Sequence, residues 1–218
     1  MIKACIFDLD GTLLNTLSGI TYYINRQFGL LGLEPIINAQ TAQILGHGAR
    51  NLITSALAMR GVSDGETVSR VFESYKSEYD ADPTYLVAPY DGIFEMIDAL
   101  LASDIRVAVL SNKPDFATRG IVKHFFGDKI MPARGAVDGV ALKPAPDSLF
   151  SMMAEMNLTP EECVFIGDSE SDVLLAKNAS VRMVAVNWGF RTEQQLRDVG
   201  AETVVSSPSE LLAVLTNT

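Results

Sequence analysis

The stretch FDLDGTLLNT, residues 7–16, places two aspartates at the end of an apolar run and follows them at once with glycine and threonine. The run itself, KACIF at residues 3–7, is typical of a strand that is covered on both faces. Because residues i and i+2 of a strand point to the same side, Asp8 and Asp10 are expected to face one site. Gly11 permits a tight turn and a close approach of the backbone to a ligand. The stretch therefore predicts a buried strand with two carboxylates at its carboxyl end.

Strand-like and helix-like segments alternate along most of the remaining chain. Further apolar, β-rich runs predict strands at residues 105–110, 163–167, 182–186 and 203–205. Helices are predicted between and after these runs, at about residues 92–103, 115–125, 146–156, 170–178, 192–199 and 208–215. The alternation predicts an α/β fold with a doubly wound, Rossmann-like parallel sheet, in which ligands bind at the carboxyl ends of the strands.

One region interrupts this alternation. Residues 17–82 contain no convincing strand, and their apolar side chains recur at intervals of three and four, as at Val68, Val71 and Tyr75. Glycines divide the region into four predicted helices. The sequence therefore predicts a helical cap over residues 16–84, inserted into a catalytic core formed by residues 1–15 and 85–218.

The overall composition excludes several classes of function. The 218 residues carry a formal net charge of −10, so an interaction with nucleic acid is not expected, because phosphate backbones attract basic surfaces. No apolar run approaches the roughly 20 residues of a membrane-spanning helix. We expect a cytoplasmic protein without a membrane partner, whose oligomeric state, monomer or homodimer, the sequence leaves open. Cys5 and Cys163 form no C-x-x-C pair and are expected to be buried free thiols.

Four short motifs follow predicted strands and should meet at one edge of the sheet. They are Asp8 with Asp10, the Ser111–Asn112–Lys113 triplet, Lys143 with the proline after it, and GDSESD at residues 167–172. The aspartates of such a cluster would repel one another unless a hard cation lay among them. Magnesium suits oxygen ligands, and together with a lysine it would attract a phosphate. One aspartate could then attack as a nucleophile and the other act as acid and base, although the residues alone do not decide which.

Taken together, DLDGT, SNK, the lysine of KPAP and GDSESD resemble the four motifs of the haloacid dehalogenase superfamily of phosphotransferases. The resemblance implies that Asp8 is the nucleophile and Asp10 the general acid and base. It also implies that Ser111 and Asn112 hold the oxygens of the transferred phosphoryl group. Lys143 would stabilise negative charge on the nucleophile and on the phosphate. The substrate implied is a small phosphorylated metabolite.

The same resemblance implies a Mg²⁺ cofactor. Its ligands would be the carboxylates of Asp8 and Asp168 and the backbone carbonyl of Asp10. Asp172 would support these ligands from behind or bind through a water molecule. The helical region would be a mobile cap over the site.

Within the superfamily, the chain is most similar to phosphoglycolate phosphatase-like enzymes. GDSESDVLLAKNA, starting at Gly167, and VNWGFRT at residues 186–192 carry this likeness. Asn15 departs from the aspartate that is usual at its position, which leaves the core chemistry unchanged and concerns the placement of the cap. The expected substrate is therefore similar to 2-phosphoglycolate.

The loop GHGAR, residues 46–50, lies between two cap helices and has two interpretations. It is either a plain capping loop or a specificity loop in which Arg50 or His47 faces the part of the substrate beyond the phosphate. An arginine can bind a carboxylate through two parallel hydrogen bonds. Lys113 is equally compatible with a role in the site and with a solvated surface position. Trp188 is expected to be a packing residue.

Two other functions compete with a phosphatase. A β-phosphoglucomutase-like enzyme would return the phosphoryl group to a sugar, but such mutases more often carry an acidic residue in place of Gly167. A regulatory or binding protein with an inactive site would not need the complete catalytic set. A dehalogenase would lack the second aspartate, Asp10, and a phosphonate-cleaving enzyme would need a cap lysine better placed than Lys76.

Overall fold

The computed structural model describes residues 1–216, and a six-stranded parallel sheet runs through its centre. In chain order the strands are β1 (Ala4–Phe7), β2 (Leu14–Asn15), β3 (Ala88–Pro89), β4 (Arg106–Pro114), β5 (Ala133–Ala136), β6 (Cys163–Gly167), β7 (Arg182–Val186) and β8 (Val204–Val205). The helices are α1 (Leu17–Leu30), α2 (Asn38–Ile44), α3 (Ala49–Ala58), α4 (Gly65–Ala81), α5 (Ile93–Ala102), α6 (Asp115–Phe126), α7 (Asp147–Glu155), α8 (Glu170–Ala179), α9 (Glu193–Asp198) and α10 (Pro208–Thr216), with a 3-10 turn at Pro160–Glu162.

The strand order of the sheet is β5-β4-β1-β6-β7-β8, which confirms the predicted doubly wound α/β fold. The chain builds one half outward from β1 through β4 and β5, and then returns to build the other half from β6 to β8. Phe7 pairs with Val109 on one side of β1 and with Ile166 on the other. The order therefore reverses at the carboxyl end of β1, which is where sheets of this kind bind ligands.

Three features of the sheets differ from the prediction. β4 continues to Pro114, beyond the apolar run that ended at residue 110, and its register shifts over this extension. β5 was not predicted, because its sequence ARGA contains no apolar run and its residues are only half-buried. The two-residue strands β2 and β3 pair antiparallel, with Asn15 opposite Ala88. This short ribbon joins the two connections between the sheet and the inserted helices.

The two faces of the sheet are covered by different helices, because side chains alternate along each strand. Cys5 and Phe7 of β1 point to the face that packs against α5, α6 and α10. Ala4 and Ile6 point to the opposite face and pack against α7 and α8, where Cys163 also lies. Both cysteines are buried free thiols, as predicted.

The helices α1 to α4, residues 17–81, are called here the helical block. They enclose an apolar cluster of their own, to which Val68, Val71 and Tyr75 contribute from α4. The four helices predicted in this region are therefore confirmed. Asp64 caps α4 by accepting a hydrogen bond from the backbone N–H of the third residue of the helix. Across residues 1–216, no helix is long and apolar enough to cross a membrane.

Candidate active site

The carboxyl ends of β1, β4 and β6 meet at one edge of the sheet because the three strands are neighbours in it. Asp8 follows β1, Ser111 lies near the end of β4, and Asp168 follows β6. Lys143 comes from the connection between β5 and α7. Residues from all four predicted motifs line one cavity at this edge. The structure thus brings together the groups that are separated by up to 160 positions in the chain.

Asp8, Asp168 and Asp172 form a buried cluster in which one oxygen of each lies within 4.8 Å of the others. Burial raises the pKa of Asp8 to about 6; Lys143 opposes this rise, whereas Asp172 and Asp10 add to it. Burial also raises the pKa of Asp168 well above its ordinary value, and the charges of Asp172 and Asp8 raise it further. When ionised, the three carboxylates carry more negative charge than one lysine offsets, so their oxygens suit a divalent cation.

Asp168 is held by hydrogen bonds from both halves of the sheet. The hydroxyl of Thr12 donates to one carboxylate oxygen at 3.0 Å, and the backbone N–H of Phe190 donates to the other at 2.8 Å. A Cβ atom at Gly11 or at Gly189 would overlap with this carboxylate, and Gly11 also has a φ of +84°. Glycine is required at both places because the backbone passes directly against the acid.

Lys143 bridges two of the carboxylates. Its ammonium lies 2.9 Å from Asp8 and 2.7 Å from Asp172. Burial works against this charge, but Asp172 and Asp8 outweigh it and raise the pKa of Lys143. The second oxygen of Asp172 accepts hydrogen bonds from the backbone N–H and the hydroxyl of Ser169, at 3.0 and 2.6 Å. Asp172 is therefore occupied by protein donors, as a residue that supports the metal ligands would be.

Ser111 and Asn112 both line the cavity, but they are bonded differently. The hydroxyl oxygen of Ser111 accepts a weak hydrogen bond from the backbone N–H of Lys113 at 3.3 Å, which leaves its O–H free to donate. The side-chain amide of Asn112 exchanges hydrogen bonds with the backbone of Lys143 and donates a further one to the carbonyl of Gly46. Its hydrogen-bonding groups are thus engaged within the protein, which makes Asn112 a residue that positions Lys143.

Lys113 belongs to the site, and the alternative that it is solvated is wrong. It is 7% exposed, and its ammonium lies 2.9 Å from both carboxylate oxygens of Asp10. The same ammonium lies 4.9 Å from the ring centre of Tyr79 in the helical block. The extension of β4 past the apolar run carries this lysine inward.

The cavity has a volume of about 70 Å³ and lies between the sheet edge and the helical block. One wall is the face of α4 that carries Phe72, Tyr75, Lys76 and Tyr79, which recur at intervals of three and four. Burial raises the pKa of both tyrosines well above the ordinary value, so both keep their protons. The wall opposite the aspartates thus carries three aromatic rings and the Lys76–Asp80 ion pair.

The GHGAR loop, residues 46–50, reaches the cavity through Gly46, Gly48 and Ala49 and not through the side chains of His47 and Arg50. His47 and Arg50 are exposed, and neither is among the residues that line the cavity. The guanidinium of Arg50 donates to the hydroxyl of Ser69 at 2.9 Å and lies 5.3 Å above the ring of Phe72. The structure therefore does not bring the predicted specificity pair to the site.

Arg191 was missed by the sequence analysis. It lines the cavity, is 8% exposed, and bonds both carboxylate oxygens of Glu170 at 2.8 and 2.9 Å. It also donates to the carbonyls of Ala42 and Leu45, at the end of α2, at 2.7 and 3.4 Å. Its position after the carboxyl end of β7, within VNWGFRT, was the signal that could have identified it. It joins the sheet edge to the helical block.

Two further predictions concern residues beside the site. Trp188 is a packing residue, as predicted, and its indole N–H donates to the carbonyl of Thr12 at 3.0 Å. The side chain of Asn15 accepts a hydrogen bond of 3.3 Å from the backbone N–H of Leu17, at the start of α1. Asparagine at this position therefore serves as a local link where the chain enters the helical block.

Comparison with known proteins gives a family and several relatives. The pattern of the haloacid dehalogenase-like hydrolases matches residues 5–186, which include every site residue described above except Gly189, Phe190 and Arg191. A phosphoglycolate phosphatase of Rhodospirillum rubrum is 31% identical over 199 residues, which cover 88% of this chain and 83% of the relative. An N-acetylmuramic acid 6-phosphate phosphatase of Pseudomonas aeruginosa is 27% identical over 216 residues, which cover 98% of this chain and 95% of the relative.

Solved structures extend the likeness to the whole fold. A crystal structure from Lactobacillus delbrueckii subsp. bulgaricus superposes with a TM-score of 0.92 at 30% identity, covering 98% of each chain. A haloacid dehalogenase-like family protein of Streptococcus pneumoniae superposes with a TM-score of 0.87 at 23% identity and shows the same fold. The similarity therefore includes the helical block as well as the sheet.

Proposed function

The chain belongs to the haloacid dehalogenase-like hydrolase family, and on that premise we propose that it hydrolyses a small phosphate monoester similar to 2-phosphoglycolate. The observation that carries the proposal is the position of Asp8, which lines the cavity beside a buried lysine and two further buried carboxylates. Relatives named as phosphatases support the reaction class.

Asp8 is the proposed nucleophile because its two oxygens are in different environments. The Oδ1 atom accepts a hydrogen bond from the backbone N–H of Leu9 at 2.7 Å and lies beside Lys143. Among residues 1–216, no hydrogen bond reaches Oδ2, which leaves that atom to attack. In the first step a bond forms between Asp8 and phosphorus as the ester oxygen leaves with a proton from Asp10. In the second step water attacks phosphorus, gives a proton to Asp10, and releases phosphate from Asp8.

The acidic cluster fits a divalent metal, because three buried carboxylates repel one another and offer the oxygen atoms that Mg²⁺ prefers. The proposed ligands are the carboxylates of Asp8 and Asp168 and the backbone carbonyl of Asp10, with Asp172 behind them. When bound, the ion would offset the negative charge of the phosphoryl oxygens. The hydroxyl of Ser111 and the ammonium of Lys143 are the proposed protein donors to the same oxygens.

The helical block is proposed to act as a cap, with residues 16–84 forming the cap and residues 1–15 and 85–218 the core. Closure over the sheet edge excludes bulk water and strengthens each polar interaction with the phosphoryl group. The small cavity favours a small ester over a nucleotide or a phosphoprotein. A block that stayed open would neither exclude bulk water nor strengthen these interactions.

The mutase alternative is disfavoured by the packing at Gly167. A Cβ atom at this position would overlap with the side chain of Asp172, which itself holds Lys143. An acidic residue there, as in the mutases, would need a different arrangement of this lysine. The inactive-protein alternative is disfavoured because Asp8, the proposed nucleophile, lies beside Lys143 and the acidic cluster.

The proposal is tested by measuring phosphate release from four esters, with Mg²⁺ and with a chelator. The panel is 2-phosphoglycolate, N-acetylmuramic acid 6-phosphate, β-glucose 1-phosphate and p-nitrophenyl phosphate. We expect Mg²⁺-dependent release, with 2-phosphoglycolate the best of the four. Conversion of β-glucose 1-phosphate to the 6-phosphate would instead establish a mutase. An absence of turnover on all four esters would favour a binding protein.

A further inference from the structure

We propose that Lys113 and Tyr79 form a subsite that binds a carboxylate on the leaving group of the substrate. This inference rests on the proposed phosphatase function and identifies the substrate class as phosphate esters that carry a second anionic group. It assigns recognition of the leaving group to one residue from the sheet edge and one from the helical block.

The position of Lys113 is the first observation. Its ammonium is bonded to Asp10, the residue proposed to give a proton to the leaving oxygen. It therefore lies at the leaving-group end of the cavity, whereas Lys143 lies beside the nucleophile Asp8. A cation that is buried with one carboxylate as its ionic partner provides strong attraction for a second anion that enters the cavity.

The other cations of the cavity are less suited to this role. Lys143 is shared by two carboxylates, and Arg191 is engaged by Glu170 and by backbone carbonyls. The side chain of Lys76 is half exposed and is paired with Asp80. Only Lys113 among these four combines burial with a position at Asp10.

Tyr79 supplies the second, independent observation. Its side chain lines the cavity, it is 4% exposed, and its hydroxyl has no hydrogen-bond partner within residues 1–216. A buried hydroxyl without a partner is unfavourable, and such groups are rare unless a ligand or water completes them. The ammonium of Lys113 lies over the ring of Tyr79, 4.9 Å from its centre, so a carboxylate bound to the ammonium lies within reach of the hydroxyl on that ring.

The relatives are consistent with this chemistry. Two named substrates, phosphoglycolate and N-acetylmuramic acid 6-phosphate, each carry a carboxylate in addition to the phosphate. In 2-phosphoglycolate the carboxylate is one carbon from the ester oxygen, so it must lie close to Asp10. Arg50, which the sequence suggested for this role, is exposed and bonded to Ser69 within the helical block.

The test compares 2-phosphoglycolate with 2-hydroxyethyl phosphate, which has the same two-carbon length and a hydroxymethyl group in place of the carboxylate. We expect Lys113→Met to reduce kcat/KM for 2-phosphoglycolate about 100-fold, mainly through KM, because a charge-assisted interaction is lost. Because Lys113→Met also removes the ion-pair partner of Asp10, both esters should lose activity, but the loss on 2-hydroxyethyl phosphate should be at least about 10-fold smaller. Tyr79→Phe should reduce kcat/KM for 2-phosphoglycolate about 10-fold without lowering the melting temperature, because its hydroxyl stabilises nothing in the free protein.

Three controls accompany these variants. Lys129→Met removes a lysine that forms an exposed ion pair with Asp98, and it should leave kcat/KM unchanged for both esters. Lys113→Arg keeps the charge and should retain part of the preference for 2-phosphoglycolate. Arg50→Met should leave the preference intact. Because Lys113→Arg and Tyr79→Phe are conservative, the test does not depend on the folding of Lys113→Met.

Several results would overturn the subsite. Equal losses of Lys113→Met on both two-carbon esters, with p-nitrophenyl phosphate spared, would mean that the lysine only supports Asp10. Equal losses on all three esters would indicate a general structural role. A selective loss in Arg50→Met alone would place carboxylate recognition in the helical loop. A wild-type enzyme that hydrolyses the esters without preferring 2-phosphoglycolate would refute the subsite and leave the phosphatase, whereas no turnover at all would refute both.

Discussion

The side chain of Asn112 and the backbone of Lys143 form a reciprocal pair of hydrogen bonds. The backbone N–H of Lys143 donates to the amide oxygen at 2.8 Å, and the amide nitrogen donates to the Lys143 carbonyl at 3.0 Å. The same nitrogen donates to the carbonyl of Gly46 at 2.8 Å. The buried side-chain amide of Asn112 thus fixes the backbone of Lys143 and also contacts the helical block.

Asn112→Ala should therefore lower kcat by about 10- to 100-fold, because Lys143 loses its fixed position beside Asp8. The free energy of unfolding should fall by about 1–3 kcal/mol, because buried backbone groups lose their hydrogen-bond partners. Steady-state kinetics and thermal unfolding measure the two effects. Asn178→Ala is the matched control. The exposed amide of Asn178 donates at 2.9 Å to the carbonyl of Pro144, the residue that follows Lys143. Similar losses in both variants would show that loop stability alone is involved.

The two aspartates of the first motif should differ in covalent chemistry. Asp8→Asn should lose turnover almost completely and form no acid-labile phosphoenzyme, because the attacking oxygen is gone. Asp10→Asn should still become phosphorylated by p-nitrophenyl phosphate, whose leaving group needs no proton. Mass spectrometry of acid-quenched reactions distinguishes the two. A phosphorylated Asp8→Asn protein would reverse the assignment.

Metal binding should depend on pH through the raised pKa values of the acidic cluster. An acid whose pKa is raised on folding contributes stability at low pH, and this contribution disappears as the pH rises through the folded value. For Asp8, whose pKa rises from 3.8 to about 6, the metal-free protein should lose about 2 kcal/mol between pH 4 and pH 7. A divalent ion that binds the ionised cluster should restore this stability. Mg²⁺ should therefore raise the melting temperature more at pH 7.5 than at pH 5.

Thermal unfolding with Mg²⁺ and with a chelator at the two pH values measures this effect. Asp168→Asn should remove most of the Mg²⁺ response, since it deletes a proposed ligand. Glu193→Gln changes an exposed acid of α9 and should retain the full response. A Mg²⁺ effect that is equal at both pH values would contradict the role of the buried carboxylates.

Arg191→Met should loosen the contact between the sheet edge and the helical block. The variant leaves the carbonyl of Ala42 without its donor, so backbone amides in residues 38–46 should exchange hydrogen faster. The KM for the preferred ester should rise more than kcat falls, because closure is disfavoured while the reacting groups are intact. Arg197→Met, which removes an exposed ion pair with Glu193, is the control for both measurements. Unchanged exchange in residues 38–46 would count against the contact.

The sequence by itself determined the fold class and most of the elements that build it, whereas β5 and the β2–β3 ribbon were not predicted. Continuous apolar runs marked the strands of the sheet, and spacings of three and four marked the helices of the inserted block, because these patterns reflect which faces are buried. The site's location followed as well, since polar motifs after parallel strands must meet at one edge of the sheet. Asp8, Asp168 and Lys143 were identified for this reason.

Only the tertiary structure decided the partners of each side chain. Local sequence could not show that Lys113 faces Asp10, that Asn112 holds the backbone of Lys143, or that Arg191 reaches the end of α2. It also could not show that Arg50 turns away from the cavity. Each of these contacts joins segments distant in the chain, and its geometry depends on how the helical block packs against the sheet edge. Periodicity reports burial along one segment, whereas the choice among nearby oppositely charged groups is made by packing in three dimensions.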